Sequence, residues 1–509
     1  MGDGGNAICT SANGFNGYAI GGVTISNNDD VHGNHGQGDA WIIKIDALGD
    51  TIWAKCYGGS GFENVSAIRP TIDGGYITLG VATSTDGDVS GNKGNDDFWL
   101  FNISGSGSLL WQKCLGGSSD DVAESLGTTF DGGYILGGTT TSTDGDVKGL
   151  HSTSQDYWVV KTDGIGNLVW QKCLGGSGGD QCYSVQQTTD GGYIVGGSSG
   201  SKDGDVTGMH LTKTGVASRD AWIVKLDDTG HILWQKCYGG SDEDWCQRII
   251  QTKDGGYIFT GTANSLDGDV KAHHPTSGGY STEDVWVVKL DDTGHIQWQK
   301  CLGGSDQDVG RDIQQTFDGG YIIASFTRSP DGDVKGVHYP AGGWNDEWIV
   351  KLDDTGHLQW QRCLGGTNED EGRSIIQTAD SSYVIAGITE SNNYDVLGYR
   401  DPDSSGSYGD FWVVKLRDTI PTAIVPVTAS NNWFSIFPNP TKGVFTIQMA
   451  NTAALSNIEI YNLVGIKAYE AVINNATSNT IDLSTKPAGV YFIKLRSGDA
   501  VTVQRLVKE

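Results

Sequence analysis

The sequence lacks any excess of basic charge: 34 lysines and arginines face 62 aspartates and glutamates, for a net charge of -28. Nucleic acid and anionic membrane both need a basic surface, to release counterions or to meet lipid headgroups, so neither is an expected partner. Long apolar runs are missing too. No window approaches the roughly 18 apolar residues of a membrane helix, which excludes insertion by that route. The opening, MGDGGNAICT, has no basic segment followed by an apolar one and does not read as a signal peptide. Proline is scarce at 10 residues, whereas glycine reaches 76, a balance that argues against disorder and for short strands joined by tight turns. The 9 cysteines are odd in number and never spaced Cys-x-x-Cys, which weakens both a disulfide framework and a zinc site. No nucleophile–base pair, phosphate loop or metalloprotease helix stands out, and no catalytic residue is assigned.

What the chain does have is a repeat. Trp-x-(Lys/Arg)-Cys recurs at Trp53, Trp111, Trp170, Trp234, Trp298 and Trp360. A (Gly/Ser)-Tyr step recurs at Tyr18, Tyr76, Tyr134, Tyr193, Tyr257, Tyr321 and Tyr383, and Asp-x-Trp before an apolar run at Trp41, Trp99, Trp158, Trp222, Trp286, Trp348 and Trp412. A period of about 60 residues suits one supersecondary unit of several strands. In the third repeat, period-2 patterning predicts strands around Leu126–Thr129, from Gly133 to Thr139, from Asp156 to Lys161, and up to Cys173, with the hairpin turn FDGG after the first. Four-stranded antiparallel units repeated radially predict an all-β fold, a seven-bladed β-propeller over residues 1–418. The Trp at fixed registers are then packing residues between blades, each worth roughly 1.5 to 3 kcal/mol by burial. Cys56, Cys114, Cys173, Cys237, Cys301 and Cys363 share one repeat position and read as small buried apolar residues.

The last repeat has no Trp-Gln-Lys segment, while GDGGNAICTS at the start aligns with what usually follows one. The expectation is that the missing strand, and a signal peptide, precede Met1, unless Thr422–Val427 (TAIVPV) supplies the strand. A linker, 419–431, leads to residues 432–509, whose alternating segments FSIFPNPTKGVFTI, IEIYNLVGIKAYE and PAGVYFIKLRSGD predict a small C-terminal β-sandwich. The PNPxxG opening at Pro438 to Gly443, the central Leu463-x-Gly465 and the closing GVYFIKL with Lys508 resemble the type A C-terminal sorting domain of proteins exported by the type IX secretion system of Bacteroidetes. The blade repeats resemble propeller repeats found joined to that domain. The resemblance implies a secreted or cell-surface protein that meets the type IX machinery, and implies nothing about the chemistry of the cargo.

Carboxylates concentrate in the loops after each second strand: Asp86 and Asp88, Asp144 and Asp146, Asp203 and Asp205, Asp267 and Asp269, Asp331 and Asp333, with partial versions at Asp29-Asp30 and Asp395. Paired acids in glycine loops suit calcium, the one cofactor considered, although two acids per loop fall short of its six to eight oxygens. The alternative is a turn in which Asp bonds its own backbone. His35, His151, His210, His274 and His338 hold one loop position that is Lys93 and Arg400 elsewhere, which favours a latch to a carboxylate over a metal ligand. The Asp two before each third-strand Trp reads as a backbone acceptor, and Gln187, Gln251, Gln315 and Gln377, with Pro70, are placed near the channel. Trp245 and Trp344 fall outside the repeat registers, in loops, and with Tyr339 are the candidate ligand contacts. The expected function is non-catalytic binding of a glycan, protein or surface through the acidic loop face. The alternatives are a polysaccharide-active enzyme with its site over the channel and a self-assembling structural protein.

Overall fold

A computed structural model describes residues 3–11, 17–28, 30–212, 214–215, 218–274, 282–338, 343–399, 409–417, 434–449, 456–462, 467–473, 478–497 and 500–508. The chain divides into two compact units, Met1–Asp418 and Thr419–Glu509. Among the described residues there is no helix, so none is long and apolar enough to cross a membrane.

The first unit repeats one propeller-like device, an antiparallel sheet whose strands pair in chain order. In the third sheet the strands are Asp121–Thr128, Tyr134–Thr140, Asp156–Thr162 and Leu168–Leu174. Six such sheets are described, with a seventh of three strands, Asp370–Gln377, Tyr383–Thr389 and Asp410–Leu416. The segment TAIVPV lies outside the described residues. Second and third strands are buried along their whole length in most sheets, as the short continuous apolar runs require, whereas the fourth starts exposed. The turn between first and second strands is fixed by its own sequence. Asp131 accepts hydrogen bonds from the Thr129 hydroxyl at 2.5 Å and the Gly133 amide at 3.1 Å, with Gly132 at φ +82° between them.

The cores lie between neighbouring sheets. Leu79, Phe98 and Leu100 of the second pack with Leu126, Leu136 and Trp158 of the third. Ile8 and Ile20 of the first pack with Ile376, Val384 and Ala386 of the seventh. The fourth-strand Trp of each sheet meets the Tyr that opens the next sheet's second strand, from Trp53 on Tyr76 at 6.4 Å to Trp360 on Tyr383 at 5.9 Å. At the seam between seventh and first sheets the third-strand Lys415 lies 5.8 Å from the Tyr18 ring, as Lys44 lies 5.7 Å from that of Tyr76. All nine cysteines are free, and burial pushes the Cys114 thiol up to about 12, which makes it a packing group and a poor nucleophile.

Six of the seven first strands bulge at one place, so that Asn6, Glu124, Tyr183, Gln247, Arg311 and Arg373 are skipped in the pairing. The bulge demands a small residue opposite. A Cβ on Gly261 would stand 1.9 Å from the Trp245 carbonyl oxygen, and one on Gly387 1.8 Å from that of Glu371.

In the second unit, Phe434–Phe437, Val444–Met449 and Ser478–Asp482 form one sheet. Lys467–Ile473, Ser456–Asn462, Gly489–Ser497 and Ala500–Lys508 form another. Phe445, Ile447, Ile458, Ile460, Ile493 and Leu506 share one core between them. Asn439 of the PNP step ties the start of the unit to its end, donating to the Arg505 carbonyl at 2.7 Å and accepting from the Val507 amide at 2.8 Å. Leu463 and Gly465 lie outside the described residues.

Candidate functional site

Two sites arise from the repeat, a ring of loops and a cavity. In the loops the first acid of each pair holds the chain crossing from the preceding sheet. Asp86, Asp144, Asp203, Asp267 and Asp331 each accept the backbone amide of a serine in that crossing, at 2.8 Å for Ser60 and Ser305 and 2.7 Å for Ser118, Ser177 and Ser241. The second acid donates its own amide to a glycine carbonyl, from Asp88 to Gly58 at 2.9 Å and from Asp333 to Gly303 at 2.8 Å. The glycine between them sits at φ +64° to +68°, where only glycine is unstrained. Among the described residues no group of three or more His, Cys, Asp or Glu converges as a metal site.

The second acid also takes a cation from the preceding sheet. Lys93 reaches Asp146 at 2.8 Å, His151 reaches Asp205 at 3.4 Å, His210 Asp269 at 3.8 Å, His274 Asp333 at 3.9 Å and His338 Asp395 at 3.4 Å. The other ring nitrogen of each of these histidines bonds the buried Asp two before the third-strand Trp, as in His151 to Asp156 at 2.7 Å and His210 to Asp220 at 2.7 Å. For His151 burial alone would lower the pKa, but the Asp156 hydrogen bond and the charges of Asp156 and Asp205 outweigh it and hold it above the usual value. For His210 the Asp220 bond leads and the direction is the same. The loop ring is therefore a chain of inter-sheet latches. Arg400 and Asp29 lie outside the described residues.

The cavity is enclosed by the first strands. Neighbouring first strands touch in turn, and Asp370–Gln377 touches Gly4–Thr10, so the seven close a cycle. They line a cavity of about 670 Å³, into which all six bulged residues project. Of its charged lining, Arg69, Arg248, Lys253, Arg311 and Arg373 stand against Glu124 and Asp312. The side chains of Arg248, Arg311 and Arg373 keep 26%, 34% and 33% of their exposure while protein surrounds them, the condition of a wall that water reaches. Burial, then the charge of Arg248, lowers the pKa of Arg69 to about 10. The protein around Glu124, whose side chain is open to the cavity, pushes its carboxyl up to about 7 against the pull of Arg311.

Of the residues singled out in the sequence, Gln251, Gln315, Gln377 and Pro70 line this cavity. The glutamines serve as staples: Gln251, Gln315 and Gln377 each accept the amide of a turn residue in the preceding sheet, at 2.8 Å, 2.9 Å and 2.8 Å, as Gln187 does from Phe130 at 2.7 Å. Trp245 belongs to the strand Asp244–Gln251, paired with Thr262, and not to a loop as expected, because the strand begins at the buried Asp244. Its indole nitrogen is buried without a hydrogen-bond partner. Trp344 is 54% exposed, and Tyr339 lies outside the described residues. The arginines were missed. Their signal was available: the middle of the first strand, Glu124-Ser125, Tyr183-Ser184, Gln247-Arg248, Arg311-Asp312 and Arg373-Ser374, is polar and differs from repeat to repeat.

Residues 435–509 match the family described as a secretion system C-terminal sorting domain. They carry a type IX sorting signal, which marks the chain as secreted or attached at the outer-membrane surface and implies contact with that secretion machinery. "Regulatory protein FlaEY" of Caulobacter vibrioides is 27% identical over 155 residues, 30% of this chain and 16% of that protein, so the chain spans about a sixth of the curated relative it matches. Among solved structures, an ACO/RPE65 chimera is 11% identical with a TM-score of 0.39, over 73% of this chain and 74% of that one. A Synechocystis apocarotenoid oxygenase mutant is 11% identical with a TM-score of 0.38, over 72% and 73%. A fungal alcohol oxidase of the AA5 family, in complex with copper, is 13% identical with a TM-score of 0.29, over 86% and 95%. TM-scores under 0.5 say nothing of this chain's chemistry. The class that fold and tail define is an exported all-β repeat protein.

Proposed function

We propose that residues 1–418 form a seven-bladed β-propeller and 432–509 a β-sandwich address tag, joined by 419–431, in a protein exported by the type IX system of a Bacteroidetes bacterium. On the cell surface or outside it, the propeller binds a glycan or protein ligand without transforming it. One observation carries this. The repeat is strict at its third- and fourth-strand Trp and its turn positions and varies along the first strands that face the cavity, the bulged residues among them, which a purely structural array has no need to vary. A bulge re-aims a side chain, and a concave site with converging polar groups is the usual home of a ligand. The acidic loops hold neighbouring sheets together, so their carboxylates are engaged first in the scaffold. The exposed Trp344 is a further contact for a large ligand, with Trp245 and Tyr339 the other candidates, and Asp86, Asp88, Asp144, Asp146, Asp203, Asp205, Asp267, Asp269, Asp331 and Asp333 are the positions at which calcium would act. A glycan array probed with the full chain, with and without chelator, tests the reading. Binding of glycans whose masses are unchanged after incubation is the expected result; cleaved glycans would make the protein a polysaccharide-active enzyme instead.

A further inference from the structure

We propose that the cavity closed by the seven first strands binds an acidic saccharide, whose carboxylate is received by the guanidinium groups of Arg69, Arg248, Arg311 and Arg373. This deepens the binding reading above and rests on it. A chain of net charge -28 has few cations to place, yet four arginines and Lys253 line this one cavity. Internal carboxylates account for them only in part: two carboxylates, Asp312 and Glu371, serve Arg248, Arg311 and Arg373. Asp312 is engaged with the Ile375 amide at 2.9 Å, the Ile313 amide at 2.9 Å and the Ser374 hydroxyl at 3.3 Å, and meets Arg248 only at 3.4 Å. Glu371 is divided between Arg373 at 3.5 Å, Arg311 at 3.8 Å and the Asn345 amide at 3.1 Å. Arg69 donates to the Ile68 carbonyl at 2.9 Å, and among the described residues no carboxylate lies within 4.0 Å of it.

One donor is left over. The Nε of Arg311 is buried with no hydrogen-bond partner, whereas that of Arg248 faces Asp312 Oδ1 at 3.4 Å without making a hydrogen bond. Glu124, exposed on the cavity wall, and Asp312 are the carboxylates of the lining that face these cations. Guanidinium forks match planar carboxylates in paired hydrogen bonds, which selects an oxyanion over a neutral ligand. The remaining wall is amide. Gln186 and Gln314 turn their carbonyl oxygens to the neighbouring strand, accepting the Gln251 amide at 2.8 Å and the Gln377 amide at 3.0 Å, which leaves their Nε2 groups as donors on the cavity wall beside Gln247. Several amide donors around a cationic centre suit a polyhydroxylated acid better than a bare inorganic anion. The acidic loops repel anions at long range, but at physiological salt the screening length is about 8 Å, which shortens the reach of that repulsion.

The test is calorimetric titration of the full chain with trigalacturonate, its fully methyl-esterified form, and inorganic sulfate and phosphate. The esters keep the shape and remove the charge, so this arm needs no variant. Trigalacturonate is expected to bind at least about tenfold more tightly than its ester and than either inorganic ion, the scale of one lost charge-assisted pair. Arg248→Gln and Arg311→Gln should each weaken it by a similar factor, while Lys113→Gln, the same charge change on an exposed outer strand, should leave it unaltered. Equal binding of acid and ester overturns the inference, as does sulfate or phosphate binding as tightly as the saccharide, or binding unaffected in both arginine variants with melting curves like the parent's. If the array detects only neutral ligands that ignore the arginine variants, the binding function stands and this inference falls.

Discussion

Replacing Trp286 by phenylalanine should cost the first unit about 2–4 kcal/mol, whereas the same change at Trp412, its counterpart in the seventh sheet, should cost about 1 kcal/mol. Trp286 is fully buried, donates its indole N–H to Gln299 Oε1 of the fourth strand at 2.7 Å, and meets Phe259 edge-on at 5.4 Å. Phenylalanine leaves Gln299 without its buried donor, about 1–3 kcal/mol, and a partial void, about 1 kcal/mol more. The same bond recurs from Trp99 to Gln112 at 3.1 Å through Trp348 to Gln361 at 2.7 Å. Trp412 is only half-buried and its sheet has no described fourth strand, so the substitution removes contact area alone. Scanning calorimetry of the two variants reads the difference. For a unit of this size about 1 kcal/mol moves Tm by about 1 °C, so drops of about 2–4 °C and about 1 °C are expected. Equal drops would refute the reasoning, because they would show that the fourth-strand glutamine contributes nothing to holding the third-strand Trp.

Three further outcomes are expected. Asp308 is buried, accepts the Gly304 amide at 2.9 Å and the Ser329 hydroxyl at 2.7 Å, and burial pushes its carboxyl up to about 7. The folded state therefore holds a proton that the unfolded chain releases near 4, so this group's contribution to stability falls as pH rises from about 4 to about 7, and Asp308→Asn should flatten that part of a stability–pH curve measured in urea. The raised pKa of His151 has the opposite sense: its stabilisation is complete below about 6.5 and is lost as pH rises through the higher folded value. Because the pair is partly exposed, His151→Gln should cost at most about 1 kcal/mol at acidic pH and less at alkaline pH, read as the difference in Tm between the two conditions. A chelator should leave Tm unchanged, since Asp331 and Asp333 are already engaged with the loop backbone and His274; a rise in Tm on adding calcium would instead assign those carboxylates to a cation.

The strands were legible because their two periods are written plainly. Alternation places Trp158 and Val160 on one face of their strand, and Trp53 and Tyr76 mark where one sheet ends and the next begins. The latch was legible because one loop column holds only His, Lys or Arg. The cavity was not. A bulge breaks the parity on which period-2 reading depends, so nothing in the alternation of DVGRDIQQ distinguishes the aim of Arg311 from that of its neighbours. Trp245 read as a loop residue because no other repeat has a Trp at that place, yet it pairs with Thr262 one step inside the strand. The polar, varying middle of the first strand was the signal, and the glycine opposite the bulge, Gly261 or Gly387, its confirmation.

The most direct measurement is a crystal structure of the full chain with a ligand taken from the array. The expected result is intact ligand among Asn6, Glu124, Tyr183, Gln247, Arg311 and Arg373, with an oxyanion on the guanidinium groups. A ligand seated on the acidic loops with the cavity holding only water, or a cleaved product, would contradict the claim that the repeat is broken at the bulges in order to bind.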